Sequence, residues 1–323
     1  MIIDMEHHFS TEHQLQMRGT KSAKIGRGWD EQGVLRIKAS MQATIVESHL
    51  RFMDEAGIDM AVLSTNMCLS LEEARHWNEE CAKVVAKYPK RFMGFATTMP
   101  LRGAPALQEL ERAVKDLGMK GVHIQARVEG KPLDSRELWP FYEKVSELRV
   151  PIDVHVEPDP IGYDALDSPY ALYYVVGREF EMCATALRVC LGGVLADFPD
   201  LKMIMNHFGG GVSAIKDRVD LYWNLLGDMF YRDHKPLISK PWSHYFDKLY
   251  FSMAGREAGM NAVKCALTNI SPKKLLFGSD WPWNFEDNPL DAKHYIEKIR
   301  KLPLTKEDID AMLGDNAEKL LGL

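Results

Sequence analysis

Residues 202–212 read KMIMNHFGGGV. A three-residue apolar core, Met203–Met205, runs into Asn206 and His207, and three glycines follow. An apolar run this short has the length of a buried strand. Glycines after a strand raise the prospect of a dinucleotide-binding sheet. The G-x-G-x-x-G spacing that such a site needs is missing here and after the early apolar runs.

Similar runs recur along the chain: IID (2–4), MAVLS (60–64), FMGFA (92–96), GVHI (121–124), PIDVHV (151–156), KLYFS (248–252) and KLLFGS (274–279). With KMIMNH they make eight. Amphipathic stretches with helical spacing lie between them, at 71–88, 104–117 and 138–148. Near-continuous apolar strands alternating with helices imply a parallel sheet covered on both faces. Eight such units in 323 residues predict a single-domain α/β protein, a (β/α)8 TIM barrel over 1–323, ahead of an open Rossmann-type sheet. Two stretches stand out as insertions, 10–44 and 157–190. Both follow strands, so both are expected over the C-terminal mouth of the barrel, where loops shape the substrate site.

Composition narrows the function. Hydrophobic residues make up 46% of the chain and the net charge is -6. No basic patch offers itself to nucleic acid or an anionic membrane. No apolar stretch approaches the roughly 18 residues of a membrane helix. MIID lacks the basic and apolar regions of a secretory leader. The five cysteines, Cys68, Cys81, Cys183, Cys190 and Cys265, form no C-x-x-C pair. They read as reduced core thiols of a cytoplasmic protein.

The polar residues at strand ends carry the chemistry. Glu6 and His8 follow the first run and, two apart in extended chain, point to one side. His155 lies near the end of PIDVHV, His207 ends KMIMNH, and Asp280 follows KLLFGS. In a closed barrel these positions converge on one mouth. Carboxylates and imidazoles there suit one divalent cation, Zn²⁺ or Mn²⁺, with a position left for water or substrate. Asp280 is placed to touch the metal and shuttle a proton. A single strand-end histidine is more often structural than a ligand; the joint pattern gives the reading its force. His7 is expected to point away from the site. His13, His76, His234, His244 and His294 read as surface or loop residues. His123, inside the fourth run, faces either the mouth or the helices.

At these motifs the chain resembles the amidohydrolase superfamily, in particular the branch around aminocarboxymuconate semialdehyde decarboxylase and γ-resorcylate decarboxylase. IIDMEHHF, HLRFMDEAGIDMAVLS, YPKRFMGFATTMP, GMKGVHIQ, PIDVHVEP, DLKMIMNHFGGG, KKLLFGSDWPW and DNAEKLLGL follow in family order. The resemblance implies a barrel with one catalytic divalent metal held by Glu6, His8, His155 and Asp280. It implies that His207 acts on water or substrate. Glu rather than His at the first position is similar to the resorcylate and carboxyvanillate decarboxylases, where Mn²⁺ is common and Zn²⁺ also occurs.

One departure bears on substrate binding. His49 stands where the decarboxylases tend to carry a carboxylate-binding Arg, and it is expected to bind a ketone, a phenol or a water instead. Arg218 and Arg232 are candidate substrate cations, and related enzymes often lend such an Arg from a neighbouring subunit of a homodimer or homotetramer. Phe208, Trp281 and Trp283 are candidates for an apolar pocket wall, with barrel packing the plainer alternative. The leading expectation is metal-dependent, nonoxidative decarboxylation of an aromatic or unsaturated acid, a small molecule. The alternative is hydrolysis or hydration at the same site, which His49 favours. A non-catalytic binding barrel is the third reading.

Overall fold

The structure is a computed structural model, and it describes residues 1–17, 26–29, 35–38, 41–66, 70–156, 166, 170, 172–224, 235–285 and 288–323. Eight strands form one parallel sheet in chain order: β1 (Ile3–His8), β2 (Met60–Ser64), β3 (Phe92–Thr97), β4 (Gly121–Gln125), β5 (Ile152–His155), β6 (Met203–Met205), β7 (Tyr250–Ser252) and β8 (Leu275–Leu276). The chain following β8 closes the ring onto β1. The backbone N–H of Met5 donates to Phe277 O at 2.8 Å, that of Asp280 to Glu6 O at 2.7 Å, and that of His8 to Trp281 O at 2.8 Å. The fold is a (β/α)8 barrel, as the eight runs predict.

Helices cover the outside: α1 (Val46–Ala56), α2 (Leu71–Lys87), α3 (Ala104–Lys115), α4 (Trp139–Leu148), α5 (Arg178–Leu191), α6 (Lys216–Asn224), α7 (Gly255–Ala266) and α8 (Pro289–Arg300). Helix α2 shows how local sequence makes them. The Ser70 side chain accepts from Glu73 N–H at its start, Glu72 and Glu73 lie in its positive first turn, and Lys87 lies in its last. Ala74, Trp77 and Cys81 form its buried stripe at three- and four-residue spacing.

Alternation along the strands sorts side chains into two layers. Ile3, Met5, Met60, Val62, Met93, Phe95, Ile204 and Leu276 fill the barrel interior, and Ala317 and Leu321 of the C-terminal segment join them. Ala61, Leu63, Phe92 and Ala96 pack outward with the helices. The polar strand ends therefore sit on an apolar floor that excludes water from below.

Two expectations need correction. Glu6 and His8 stand within β1, not beyond it. The pairing of β1 with β2 runs Asp4↔Ala61 and then His7↔Leu63, so β1 carries one extra residue. This bulge lets the strand continue past Met5 while reversing which residues face inward. The second insertion is also shorter than 157–190. A helical turn at Tyr173–Gly177 leads into α5, whose buried Met182, Ala186, Val189 and Cys190 follow helical spacing. Among the described residues, Cys81, Cys183, Cys190 and Cys265 are free thiols, and no helix is long and apolar enough to cross a membrane. Cys68 lies outside the described residues.

Candidate metal centre and active site

The bulge in β1 builds the centre. Strict alternation from Ile3 and Met5 would turn His7 into the barrel; the extra residue turns Glu6 and His8 inward instead. There they meet His155 from the end of β5 and Asp280 from the turn after β8. Glu6, His8, His155 and Asp280 each offer one ligand atom, and these four atoms lie within 4.8 Å of one another. His8 Nε2 is 2.9 Å from Asp280 Oδ1, and His155 Nε2 is 3.3 Å from Glu6 Oε1. All four residues are buried, none more than 4% exposed.

Three atoms in this cluster are buried without a hydrogen-bond partner: Glu6 Oε1, His155 Nε2 and His207 Nε2. Leaving such a group unsatisfied costs about 1–3 kcal/mol each. All three converge, with His207 Nε2 3.2 Å from Glu6 Oε1. A divalent cation satisfies oxygen and nitrogen donors together, so the residues fit one. Protonation favours it too. Burial drives His8 down to about 3 and His155 well below its ordinary value, which leaves both imidazoles neutral. Burial would raise the Glu6 carboxyl, but His207 and His155 hold it well below the usual range, as a carboxylate.

Neighbours orient the ligands. Ser252 Oγ–H on β7 donates to Glu6 Oε2 in a short hydrogen bond. Asp280 has a φ of 53°, held by its N–H on Glu6 O, and its Oδ2 accepts from Asn284 Nδ2 at 3.0 Å. Gly278 in the same turn is required, because a Cβ there would stand 2.9 Å from Glu6 Cβ and against Ser252 Oγ.

His207 opens a left-handed turn. All five residues of His207–Gly211 have positive φ, between 52° and 74°. Glycine relieves that strain at three of the five positions. At Gly210 a Cβ would collide with the Glu179 carbonyl, so the turn packs directly on α5. That contact brings Glu179 Oε1 3.0 Å from His207 Nδ1. Burial alone would lower the His207 imidazole, but Glu179 and Glu6 together push it well above its ordinary value. A cavity of about 410 Å³ borders His207, Phe208, Glu179, Val175 and Cys265.

The other proposed site residues divide. Phe208 lines that cavity, and Trp283 is half-buried. His49 is not at the mouth, contrary to the expectation. It lies behind β1, 1% exposed, with both ring nitrogens engaged. His49 Nε2–H donates to Ala43 O at 3.0 Å, and Nδ1 stands 2.9 Å from His7 Nε2. The physical reason is helix phase: the buried face of α1 is His49, Phe52, Met53 and Ala56, which packs on the outside of the barrel. Trp281 is also a packing residue, 1% exposed, stacked on His7 at 5.0 Å and edge-on to His49 at 4.4 Å. Arg218 is exposed on α6 and folds over Tyr222 of its own helix. Arg232 lies outside the described residues, as does His234.

His7 points away from the centre, as pleat geometry predicts for a residue between Glu6 and His8. His123 turns inward: its Nδ1 is 2.6 Å from Asp153 Oδ2 and its ring lies 5.7 Å from that of His155. His13, His244 and His294 are exposed, and His76 is half-buried against His13. Sequence reasoning passed over Glu179, Ser252, Asn284, Asn66 and Asp153. For Asp153 a signal existed, since a carboxylate two residues before His155 in an apolar strand must share its inward face. Ser252 ends a strand whose inward phase is set by its neighbours, and Glu179, Asn66 and Asn284 come from a helix and loops brought in by the fold.

Comparison with known proteins agrees with this geometry. The chain matches the amidohydrolase family (Amidohydro_2) over residues 3–323. It is 30% identical over 312 residues to γ-resorcylate decarboxylase of Polaromonas sp., covering 90% of each chain. It is 26% identical to 2-amino-3-carboxymuconate-6-semialdehyde decarboxylase of Dictyostelium discoideum, covering 99% of this chain and 85% of that one. Among solved structures, dihydroxybenzoic acid decarboxylase from Polaromonas sp. JS666, with bound manganese and the inhibitor 2-nitroresorcinol, superposes with a TM-score of 0.80. That structure is 27% identical, covering 100% of this chain and 97% of its own. A family match from end to end, on a barrel whose strand ends gather two carboxylates and two imidazoles, makes this chain an enzyme of the amidohydrolase family.

Proposed function

We propose that the enzyme catalyses metal-dependent, nonoxidative decarboxylation of an aromatic carboxylic acid, with Glu6, His8, His155 and Asp280 holding one Mn²⁺ or Zn²⁺. The observation that carries the reading is the convergence of those four ligand atoms around buried donors that lack partners. The decarboxylase relatives, and the Glu at the first ligand position, support this reaction over the others open to the family. The donor set accommodates either ion.

When bound, the ion supplies positive charge that polarises substrate oxygens and stabilises enolate character in the ring. The rest falls to the chain. Asp280 delivers a proton to the ring carbon that bears the carboxylate, forming a C–H bond and breaking conjugation. The C–C bond to the carboxylate then breaks, its electron pair returns to the ring, and CO₂ leaves. Asp280 recovers its proton from solvent. His207, braced by Glu179, faces Glu6 and carries a proton beside the reacting centre. Phe208 forms part of the apolar wall of the adjoining cavity. The feature that had favoured hydrolysis, His49 in place of an Arg, loses its bearing because His49 lies behind β1.

The test is a panel of hydroxylated benzoates, beginning with γ-resorcylate, given to metal-loaded enzyme in D₂O and in H₂¹⁸O. CO₂ release with one deuterium in the product is expected. Entry of ¹⁸O into the product without CO₂ release would overturn the reading in favour of hydrolysis or hydration.

A further inference from the structure

Behind His155 lies a hydrogen-bonded chain that the reaction does not use directly. The Asn66 amide nitrogen is 2.9 Å from His155 Nδ1, and its amide oxygen lies against His123 Nε2. His123 Nδ1 is 2.6 Å from Asp153 Oδ2, which also accepts from Asn206 Nδ2 at 3.4 Å. His123 and Asp153 are paired across neighbouring strands, and both are about as buried as His155, at 1–2% exposure.

Donor and acceptor counting gives this chain a direction. A carboxamide has the same shape either way round, so hydrogen bonding decides how it faces. With the amide N–H aimed at His155 Nδ1, that nitrogen must accept and its hydrogen sits on Nε2, which then cannot coordinate. With the amide reversed, donors and acceptors alternate correctly along the chain. His155 Nδ1–H donates to the Asn66 oxygen, the Asn66 N–H donates to His123 Nε2, and His123 Nδ1–H donates to the Asp153 carboxylate. His155 Nε2 is then left with a lone pair facing Glu6 and Asp280. The Val156 carbonyl, 3.1 Å from His155 Nδ1, is a second acceptor for the same hydrogen. A carbonyl can only accept, so it favours the same tautomer, which the Asn66 amide either reinforces or opposes.

We propose that Asn66, His123 and Asp153 are positioning residues that fix the metal-binding tautomer of His155, with Asn66 presenting its oxygen to that ring. The inference rests on the metal site proposed above and goes beyond it to the residues that set its affinity. Partners one step behind a metal-bound imidazole typically change metal affinity by about 10–100-fold when removed.

The test is calorimetric titration of MnCl₂ into chelator-stripped protein, with the melting temperature of each stripped variant as a control for folding. Asn66→Ala should weaken binding by about 10-fold or more. Asn66→Asp keeps the shape but can only accept from His155, so it should bind at least as tightly as the unchanged chain. Asp153→Asn, two steps further along the chain, should weaken binding by less than Asn66→Ala. An Asn66→Ala protein with unchanged affinity would overturn the proposal. So would an Asn66→Asp protein as weak as Asn66→Ala, which would mean that the amide N–H is what His155 needs. If the unchanged chain takes up no metal, both this proposal and the metal site fall; if it binds and only the variants behave contrary to expectation, this proposal falls alone.

Discussion

On the outward face of β1, Asp4 and His7 meet Ser279 and His49; on the inward face, Glu6 and His8 meet His155, His207 and Asp280. Both groups are carboxylates and imidazoles, and both are almost wholly buried. The outward group is closed. Asp4 accepts from Ser279 N–H at 2.7 Å, Ser279 Oγ–H at 2.5 Å and His7 Nδ1 at 2.8 Å, and both nitrogens of His7 and of His49 are engaged. The inward group leaves Glu6 Oε1, His155 Nε2 and His207 Nε2 without hydrogen-bond partners. Residue type and burial do not separate a structural network from a ligand set. Unfilled valence gathered at one point does: three such atoms converge here, and burying an unpaired polar atom costs free energy that a bound group can offset.

This contrast can be broken most directly at Asp280. On the proposed mechanism, Asp280→Asn removes an anionic ligand and the proton carrier while keeping the shape. Turnover should fall by about 10²–10⁴-fold, the scale of a positioned general acid, with the stripped protein's circular dichroism and melting unchanged. Near-native turnover would remove Asp280 from the mechanism.

Metal removal sharpens the contrast next. With metal at about 100 times its Kd, unfolding should cost about 2.7 kcal/mol more than after chelation, read as a shift in denaturant midpoint. His49→Ala should behave the opposite way. It opens the outward network and leaves a buried His7 nitrogen without its partner, so stability should fall by about 1–3 kcal/mol while metal stoichiometry stays the same. Loss of metal without loss of stability would show that the two faces are not separate.

The smallest effect is in pH. Burial holds His8 at about 3 in the folded chain, against an ordinary 6.5, and also lowers His155 and His49. These groups stay neutral when folded but take up protons when unfolded. Their contribution is therefore intact above about pH 6.5 and is lost progressively as pH falls toward 3. His207, shifted upward by Glu179 and Glu6, works in the other direction. With the three buried histidines His8, His155 and His49 lowered against His207 raised, denaturant midpoints for stripped protein should fall between pH 7 and pH 5. A rise over that range would mean that His207 outweighs the other three.

Local patterning alone made the barrel readable. Each of the eight runs is long enough to be a strand and too short to be a helix, and the polar residues at their ends appear in an order that a ring of parallel strands must gather at one mouth. The convergence of Glu6, His8, His155, His207 and Asp280 was legible for that reason. So was the opposite heading of His7, since neighbours in a strand point to opposite faces.

Only the tertiary structure decided the rest. Whether Glu6 and His8 or their neighbour faces inward depends on the extra residue in β1, and a bulge is defined by the partner strand's register, which no single strand contains. His49 and Trp281 looked like pocket residues because sequence places them near site residues, yet helix phase and ring closure stack them on the far side of β1. Glu179 reaches His207 only because glycine at 210 lets a left-handed turn pack directly on α5. KMIMNHFGGG announces a strand end and a turn. That Gly210 serves close packing against a helix is decided by a contact between segments about thirty residues apart.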